Sequence, residues 1–232
     1  MRRALLDRLS ALRADKVPAV VATRLEDGAQ ALIADGRVVL GDLEVSADIL
    51  DAAADALRRD KSATVQDDTV FLQIFNPPLR LIIVGAVHIA QNLAPMALIA
   101  GYGVTVIDPR GAWADEARFP DIDVLQDWPE EAMERLRPDT RTAVVALTHD
   151  PKLDDPALGV ALASDAFYVG ALGSKKTAAA RAERLKDSGV SEDAIARIDG
   201  PIGLDIGAVS PAEIAIAILG QITLTLRGPK GR

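Results

Sequence analysis

A possible phosphate-binding turn follows the first long apolar run of the chain. Gly85 and Ala90 match the first and third positions of the dinucleotide fingerprint G-x-G-x-x-G/A, directly after a strand predicted at 80–84. Val87 takes the second position, where its branched side chain opposes the approach of a pyrophosphate. Asp108 ends the next predicted strand, where an acidic residue would bind a ribose diol. The pattern fits a nucleotide-like ligand at a helix N-terminus, and equally a purely structural turn.

The sequence contains two histidines, His88 and His149, and each directly follows a predicted strand. Ligands of open α/β sheets bind outside the carboxyl ends of the strands, so both side chains are expected at one crevice. His88 could hydrogen-bond a phosphate or an oxo ligand. His149, beside Asp150, could be fixed in one tautomer and act as a donor or base. The alternative is that each ring satisfies a loop carbonyl. The spacing does not indicate a metal site.

A second glycine-rich turn, from Gly170 to Lys176, leads from a predicted strand into a predicted helix. Gly173 permits close backbone approach, and Ser174 is suited to cap the helix. Lys175 and its neighbour place positive charge in the first helical turn, which the helix dipole disfavours unless an anion lies nearby. The turn is therefore a candidate phosphate site; the alternative is a solvated lysine pair.

The loop 201–207 is stiffened by proline and glycine and precedes a helix predicted at 211–226. Ser210 and Glu213 have the spacing of a capping box, so Glu213 has a structural role. Asp205 has no such role and would either line the crevice or hold the loop together.

Acidic residues also cluster before the helix predicted at 155–163. Asp155 is expected to cap that helix, with Pro156 at its first position. Asp150 and Asp154 could form a carboxylate pair, but a hydrolytic site would need a nucleophile or metal partner at defined spacing.

Composition excludes several classes of function. The chain of 232 residues has a formal net charge of −8, which repels nucleic acid and anionic membrane surfaces. It has no cysteine, so disulfides, thiolate metal sites and a cysteine nucleophile are excluded. The N-terminus lacks the apolar core of a signal peptide, and the apolar runs are too interrupted for a membrane span. We expect a soluble cytoplasmic protein.

The element pattern changes at Asn76-Pro77-Pro78. Before it, helices at 2–14 and 46–59 flank short strand-like runs, with hairpin signals at Asp27-Gly28 and Asp35-Gly36. After it, strands at 80–84, 104–107, 142–147 and 166–171 alternate with helices at 88–100, 129–136, 155–163, 175–187, 191–198 and 211–226. This order predicts a small N-terminal α+β domain, 1–78, and an α/β domain, 79–232, with a Rossmann-like doubly wound parallel sheet.

Five ordered segments of the second domain resemble the XdhC/CoxI family of molybdenum hydroxylase accessory proteins. They are the run LIIVGAVHIAQNLAPMALIAGYGVTVIDPR, the sequence RFP at 118–120, THDPKLD at 148–154, YVGALGSKKT at 168–177, and PIGLDIG at 201–207 followed by PAEIA.

The resemblance implies a chaperone rather than an enzyme, and therefore no catalytic residues. Such a chaperone would bind the molybdenum cofactor, as molybdopterin or its cytidine dinucleotide form, and deliver it to an apo-hydroxylase of the xanthine dehydrogenase or CO dehydrogenase type. Homodimerisation and contact with a cysteine desulfurase are further expectations. The expected cofactor-binding residues are Gly85, Ala86, Val87, His88, Asp108, Arg110, His149, Asp150, Gly170, Gly173, Ser174, Lys175, Lys176, Gly203 and Asp205.

Two features depart from the family pattern. Val87 stands where family members usually have glycine, and the chain lacks the cysteine of their usual N-terminal Gly-Gly-Cys motif. Two other functions therefore stay open. One is an NAD(P)-dependent oxidoreductase, which Val87 and the lack of an evident hydride-transfer acid disfavour. The other is a ligand-free interaction partner of the hydroxylase maturation machinery.

Overall fold

The fold comes from a computed structural model that describes residues 2–111, 113–114 and 116–228, with Glu116 described by its backbone alone. Within it the chain divides into two compact units, residues 1–77 and 78–232. The division falls at the predicted proline-rich break. Each unit has its own sheet and its own core.

The first unit is a five-stranded antiparallel sheet with the strand order β3-β2-β1-β5-β4. Its elements are α1 (Arg3–Ala14), β1 (Ala19–Arg24), β2 (Gln30–Ala34), β3 (Arg37–Gly41), α2 (Ala47–Arg59), β4 (Ala63–Val65) and β5 (Val70–Phe75). Alternate residues of β1 point to opposite faces. Val20 belongs to a core with Ile49 of α2, and Val21 belongs to another core with Leu9 of α1. One helix therefore covers each face of the sheet.

Both predicted hairpins of this unit are confirmed. β1 pairs antiparallel with β2 across the Asp27-Gly28 turn, and β2 pairs with β3 across Asp35-Gly36. Asp35 and Gly36 have φ angles of 50° and 70°. Two consecutive positive φ angles are characteristic of the type I′ two-residue hairpin turn.

The second unit is built on a six-stranded parallel sheet with the order β11-β10-β9-β6-β7-β8. Its strands are β6 (Leu79–Val84), β7 (Tyr102–Ile107), β8 (Asp123–Leu125), β9 (Thr142–Ala146), β10 (Tyr168–Ala171) and β11 (Ile198–Asp199). Its α-helices are α3 (His88–Ile99), α4 (Pro129–Leu136), α5 (Pro151–Ala163), α6 (Lys175–Asp187), α7 (Glu192–Ile195) and α8 (Pro211–Arg227), with a 3-10 helix at Glu116–Arg118.

Helices cover both faces of this sheet. Ile83 of β6 packs in a core with Leu93 of α3 and Ile218 of α8. Its neighbour Ile82 faces the other way, into a core with Met133 of α4 and Leu158 of α5. A strand buried on both faces reads as a continuous apolar run, which explains the sequence of β6. The predicted fold class, a doubly wound Rossmann-like sheet with a small N-terminal α+β unit, is confirmed.

Two predicted elements differ from the structure. The helix predicted at 191–198 is only the short α7, because Ile198 instead pairs with Val169 and extends the sheet. The helix predicted to start at Asp155 begins at Pro151. Asp150 is its N-cap and accepts from the Lys152 amide, so the expectation of a cap at Asp155 is wrong. Asp150 and Asp155 each precede a proline, and the helix starts at the first of these two Asp-Pro pairs.

Candidate ligand-binding crevice

The predicted site residues gather at the carboxyl edge of the parallel sheet. They occupy the ends of β6, β7, β9, β10 and β11 or the loops that follow them. From β6 the chain moves to β7 on one side and later returns to β9 on the other. The strand order therefore reverses between β6 and β9, and this switch point is where open α/β sheets place their ligands.

The turn after β6 is tight because two loops touch there. Gly85 has a φ of +109°, and a Cβ at this position would lie 2.6 Å from Thr148 Cγ2 in the turn after β9. A side chain is therefore excluded by both conformation and contact. Val87, the N-cap of α3, is half-buried against the core and makes no capping hydrogen bond. The N-terminal end of α3, with its exposed His88, is thus left without an anionic cap from its own first turn.

Asp108 is fully buried beneath this turn. Its carboxylate accepts the Ala86 amide at 2.8 Å, the Arg110 amide at 3.0 Å, and Arg110 Nε and Nη2 at 2.8 and 2.7 Å. Burial raises the pKa of Asp108, but the hydrogen bonds from Arg110 and Ala86 outweigh it and the net pKa lies below its usual value. Because protein donors enclose the carboxylate, the expected contact with a ribose diol is not available. Asp108 instead positions Arg110.

Arg110 belongs to a partly exposed group of cations and rings, which we call the Trp113 cluster: His88, Arg110, Trp113 and Arg118. The guanidinium carbons of Arg110 and Arg118 lie 5.5 and 5.4 Å from the Trp113 ring centre. The His88 ring meets the same indole edge to face, with centroids 6.2 Å apart. Arg118 also donates to the Trp113 carbonyl at 2.6 Å. An indole with two guanidinium groups against its ring combines an aromatic surface with positive charge.

The turn after β9 presents His149 on a fixed backbone. His149 has a φ of +63°, and its side chain is exposed. The Thr148 hydroxyl donates to Asp154 at 2.6 Å, and the amides of Thr148 and His149 donate to the same carboxylate at 3.3 and 3.1 Å. Asp150 was expected to orient the imidazole, but its carboxylate accepts a hydrogen bond from the Lys152 amide instead. The backbone rather than the ring of His149 is therefore the part held in place.

A buried ion pair lies behind this turn. Asp154 Oδ2 is 3.7 Å from Arg181 Nη2, and their side chains are only 1% and 4% exposed. Burial raises the pKa of Asp154, and the contacts from Thr148 and Arg181 oppose that rise. Arg181 Nη2 also donates to the Leu172 carbonyl at 3.0 Å, in the loop after β10. Two loops of the crevice are thus fastened to one ion pair. Asp154 contacts Thr148, His149 and Arg181, while Asp150 accepts the Lys152 amide, so the two carboxylates have separate structural roles.

The turn after β10 contains the expected helix cap. Ser174 Oγ accepts the Thr177 amide at 3.2 Å, which confirms it as the N-cap of α6. Lys175 and Lys176 are exposed in the first turn. Gly173 has a φ of +145°, in the region that favours glycine. The lysine pair faces solvent at the same edge of the sheet as the loops after β6 and β9.

Two other predicted glycines are explained by packing. A Cβ at Gly170 would lie 2.6 Å from Ile202 Cδ1, and a Cβ at Gly203 would lie 3.2 Å from the Ala217 Cβ. Gln221 Oε1 accepts the Gly203 amide at 2.6 Å and the buried Tyr168 hydroxyl at 2.8 Å. These contacts seat the loop after β11 on α8. Both glycines are therefore required by the protein itself.

Asp205 and the capping box at Ser210 lie in the rest of the loop between β11 and α8. Asp205 is exposed, and its side chain makes no hydrogen bond or ion pair with any part of the chain that the structure describes. The capping box predicted before α8 is confirmed, with Ser210 Oγ accepting the Glu213 amide and the Glu213 carboxylate accepting the Ser210 amide.

Trp113 is not among the residues predicted from the sequence, and Arg118 is there only as part of the RFP segment that resembles the family. The signal that could have found Trp113 was a tryptophan, one of two in the chain, on a loop directly after a strand of the parallel sheet. Within the described residues, no group of three or more His, Asp or Glu side chains is close enough to hold a metal ion. No helix formed by those residues has the length and apolar character needed to cross a bilayer.

The fold and this crevice define a Rossmann-type protein with a cationic and aromatic surface at the carboxyl edge of its parallel sheet. Residues 81–222 match the model of the XdhC Rossmann domain, and the chain belongs to that family. The resemblance seen in the sequence is thereby confirmed for XdhC.

Two curated relatives support the assignment. The chain is 30% identical to a probable xanthine dehydrogenase subunit of Bacillus subtilis over 161 residues, 69% of this chain and 47% of the relative. It is also 30% identical to the molybdenum cofactor insertion chaperone PaoD of Escherichia coli over 148 residues, 64% of this chain and 40% of the relative. The chain spans less than half the length of these relatives.

The fold also matches a solved structure. A crystal structure of a xanthine dehydrogenase from Bacillus halodurans aligns with a TM-score of 0.72 and 26% identity, covering 98% of this chain and 65% of that one. The match extends over nearly the whole chain, and so includes the small N-terminal unit.

Proposed function

We propose that this chain is an accessory protein in the maturation of a molybdenum hydroxylase, and that its crevice binds the molybdenum cofactor by its phosphate-bearing end. The observation that carries the proposal is the Trp113 cluster beside the uncapped N-terminus of α3. The names of two relatives, a probable xanthine dehydrogenase subunit and a molybdenum cofactor insertion chaperone, support the choice of cofactor.

The donor set fits one end of that cofactor. Arg110 and Arg118 can bind a phosphate, and Trp113, which is partly exposed, can offer an aromatic contact to a pterin ring. His88 at the start of α3 adds a hydrogen-bonding group, and Lys175 adds charge from the turn after β10, at the same edge of the sheet. The molybdenum itself would supply the redox chemistry of the target hydroxylase. In this proposal the residues of the chain bind the cofactor, orient it and hold it for transfer, without turnover.

A nicotinamide dinucleotide fits this crevice less well. The acidic residue that would hold its ribose diol is Asp108, and Arg110 and Ala86 already enclose that carboxylate. The molybdopterin and cytidine dinucleotide forms share the phosphate that the cluster would bind. An apo-hydroxylase partner follows from the proposal. A cysteine desulfurase partner, a homodimer and a cytoplasmic location stay predictions from the sequence.

Tryptophan fluorescence can test the proposal. The variant Trp128→Phe removes an exposed indole and leaves Trp113 as the sole tryptophan. Under anaerobic conditions, freshly released molybdenum cofactor should quench this fluorescence saturably, and NAD and NADP should not. The variant Trp113→Phe, which retains Trp128, should show no such quenching.

Charge variants locate the site in the same assay. In the Trp128→Phe background, Arg118→Gln should weaken cofactor binding by about tenfold, because it removes a charge-assisted contact. Arg8→Gln removes an exposed arginine of the N-terminal unit and serves as the matched control. Equal binding by both variants would place the ligand elsewhere. If neither the cofactor nor NAD nor NADP binds, the alternative function is favoured: a ligand-free interaction partner of the hydroxylase maturation machinery.

A further inference from the structure

An open groove with a volume of about 840 Å³ lies beside β8, the last strand at one side of the parallel sheet. It is lined by β8 itself, by the loop before it at 119–122, by Thr105 of β7 and by Leu136 of α4. Clefts that bind ligands usually have volumes of about 300–1,000 Å³. The groove is thus large enough to take several side chains, and its lining includes no residue of the Trp113 cluster.

The backbone of β8 has unpaired groups on its outer side. β8 pairs with β7 alone, and the Leu125 carbonyl accepts the Asp108 amide on that inner side. Since the backbone groups of successive strand residues point to opposite sides, Asp123 and Leu125 bond toward β7 and Val124 points outward. Within the described residues, no hydrogen bond forms to the Val124 N–H or carbonyl. An unpaired strand side of this kind is a template for another strand.

The side chains of the groove combine acidic and apolar groups. Asp121 and Asp123 are exposed, and neither carboxylate has a hydrogen bond or ion pair with any residue that the structure describes. No lysine or arginine is among the described residues of the lining. The apolar part of the lining is buried or partly buried and consists of Phe119, Ile122, Val124, Leu125 and Leu136. Charge complementarity therefore favours a segment that is both basic and apolar.

The register of β8 specifies how such a segment would be arranged. Asp123 and Leu125 are two residues apart, so their side chains lie on one face of the sheet, the face on which Leu125 packs near Met133 of α4. A strand added beside β8 would place a basic residue next to Asp123 and, two residues along, an apolar residue next to Leu125. A second copy of β8 would bring the same carboxylates, and like charges across a strand pair are destabilising.

We propose that this groove binds an extended segment of a partner protein, which adds a strand beside β8 and carries a lysine or arginine two residues from an apolar residue. The segment forms backbone hydrogen bonds with Val124, its basic side chain pairs with Asp123 or Asp121, and its apolar side chain covers Leu125 and Leu136. In this mode of recognition the main chain supplies affinity and alternate side chains supply specificity. The proposal is independent of the cofactor assignment, because the lining lies outside the Trp113 cluster.

The peptide acetyl-Lys-Thr-Val-Thr-Lys-amide is a suitable probe. Its lysines and valine lie on one face of an extended chain, and it reads the same in both directions, so it tests parallel and antiparallel addition together. Titrated into the ¹⁵N-labelled full chain, it should bind saturably, shift the Val124 amide signal, and slow hydrogen exchange at that amide at least tenfold. The same peptide with glutamate in place of both lysines should bind at least tenfold more weakly, because the acidic rim repels it.

Two double variants with the same change in net charge locate the site. Asp121→Asn with Asp123→Asn should weaken binding of the lysine peptide about tenfold, because it removes the exposed ion pairs. Asparagine tolerates the φ of 62° at position 121, so the loop should keep its shape. Asp165→Asn with Asp187→Asn changes two exposed aspartates outside the groove and should leave binding unchanged.

Four results would overturn the proposal: no binding of the lysine peptide, binding without slower exchange at the Val124 amide, equal binding of the two peptides, or equal binding by the two double variants. Protection of the Val124 amide that grows with protein concentration in the absence of peptide would also overturn it, and would assign this side of β8 to a second copy of the chain.

Discussion

Replacing Asp108 with asparagine removes the charge that holds Arg110 in the Trp113 cluster and barely changes the side-chain volume. Asp108 accepts four hydrogen bonds, three of them from Arg110. Asparagine retains one acceptor oxygen, and its amide nitrogen would face a guanidinium or backbone donor. Breaking a fully buried ion pair costs about 3–5 kcal/mol. Because 38% of the Arg110 side chain is exposed and can be rehydrated, we expect Asp108→Asn to cost about 2–3 kcal/mol at neutral pH.

The cost should depend on pH in a defined direction. The pKa of Asp108 is lower in the folded protein than its usual value. An acid with a depressed folded pKa stabilises the protein above its unfolded pKa, about 3.9, and that contribution is lost as the pH falls through the folded value. The difference between wild type and Asp108→Asn should thus be constant from about pH 6 to 8 and shrink below about pH 4.

Urea unfolding followed by tryptophan fluorescence measures this difference. Both tryptophans lie in the second unit, so the signal reports that unit alone. Asp127→Asn is the control, because its partner Arg135 is 58% exposed and such surface pairs contribute about 0–1 kcal/mol. If Asp108→Asn costs no more than this control, or if its cost is the same at pH 3.5 and pH 7, the ion pair does not hold the turn.

Two further substitutions test the packing of the crevice by the same unfolding measurement. Gly85→Ala would combine a positive φ with a Cβ 2.6 Å from Thr148 Cγ2, and should cost about 2–4 kcal/mol; a loss below about 0.5 kcal/mol would show that the two turns separate easily. Gln221→Met would remove the acceptor shared by the Tyr168 hydroxyl and the Gly203 amide, and should cost about 2–3 kcal/mol. Wild-type stability of that variant would mean that the loop after β11 is held by other contacts.

Local rules predicted much of the second unit. The continuous apolar run of β6 predicted a strand buried on both faces, because such a strand has no polar face to show. Ser174 and Ser210 were predicted as helix caps because a hydroxyl before a helix can accept an orphan amide. These features depend on neighbours along the chain, and the structure confirms them.

The features that were missed depend on residues distant in sequence or on elements too short to show a period. β4, β8 and β11 contain three, three and two residues, and they exist because they pair with an adjacent strand. The enclosure of Asp108 was not foreseen, because a sequence does not show that Arg110 folds back upon it. The Trp113 cluster, likewise, depends on how the loop after β7 folds.

The bonds from Asp154 to the turn after β9 have a consequence for motion. Asp154 lies in the first turns of α5, and the Thr148 and His149 amides donate to it. Amides of a surface loop usually exchange their protons through frequent local opening, but here each opening must also break contacts with a buried carboxylate. The loop and the helix should therefore move together, with slow exchange at these two amides. A molecule that docks on His149 would meet a backbone already in place, and little ordering entropy would be lost when it binds.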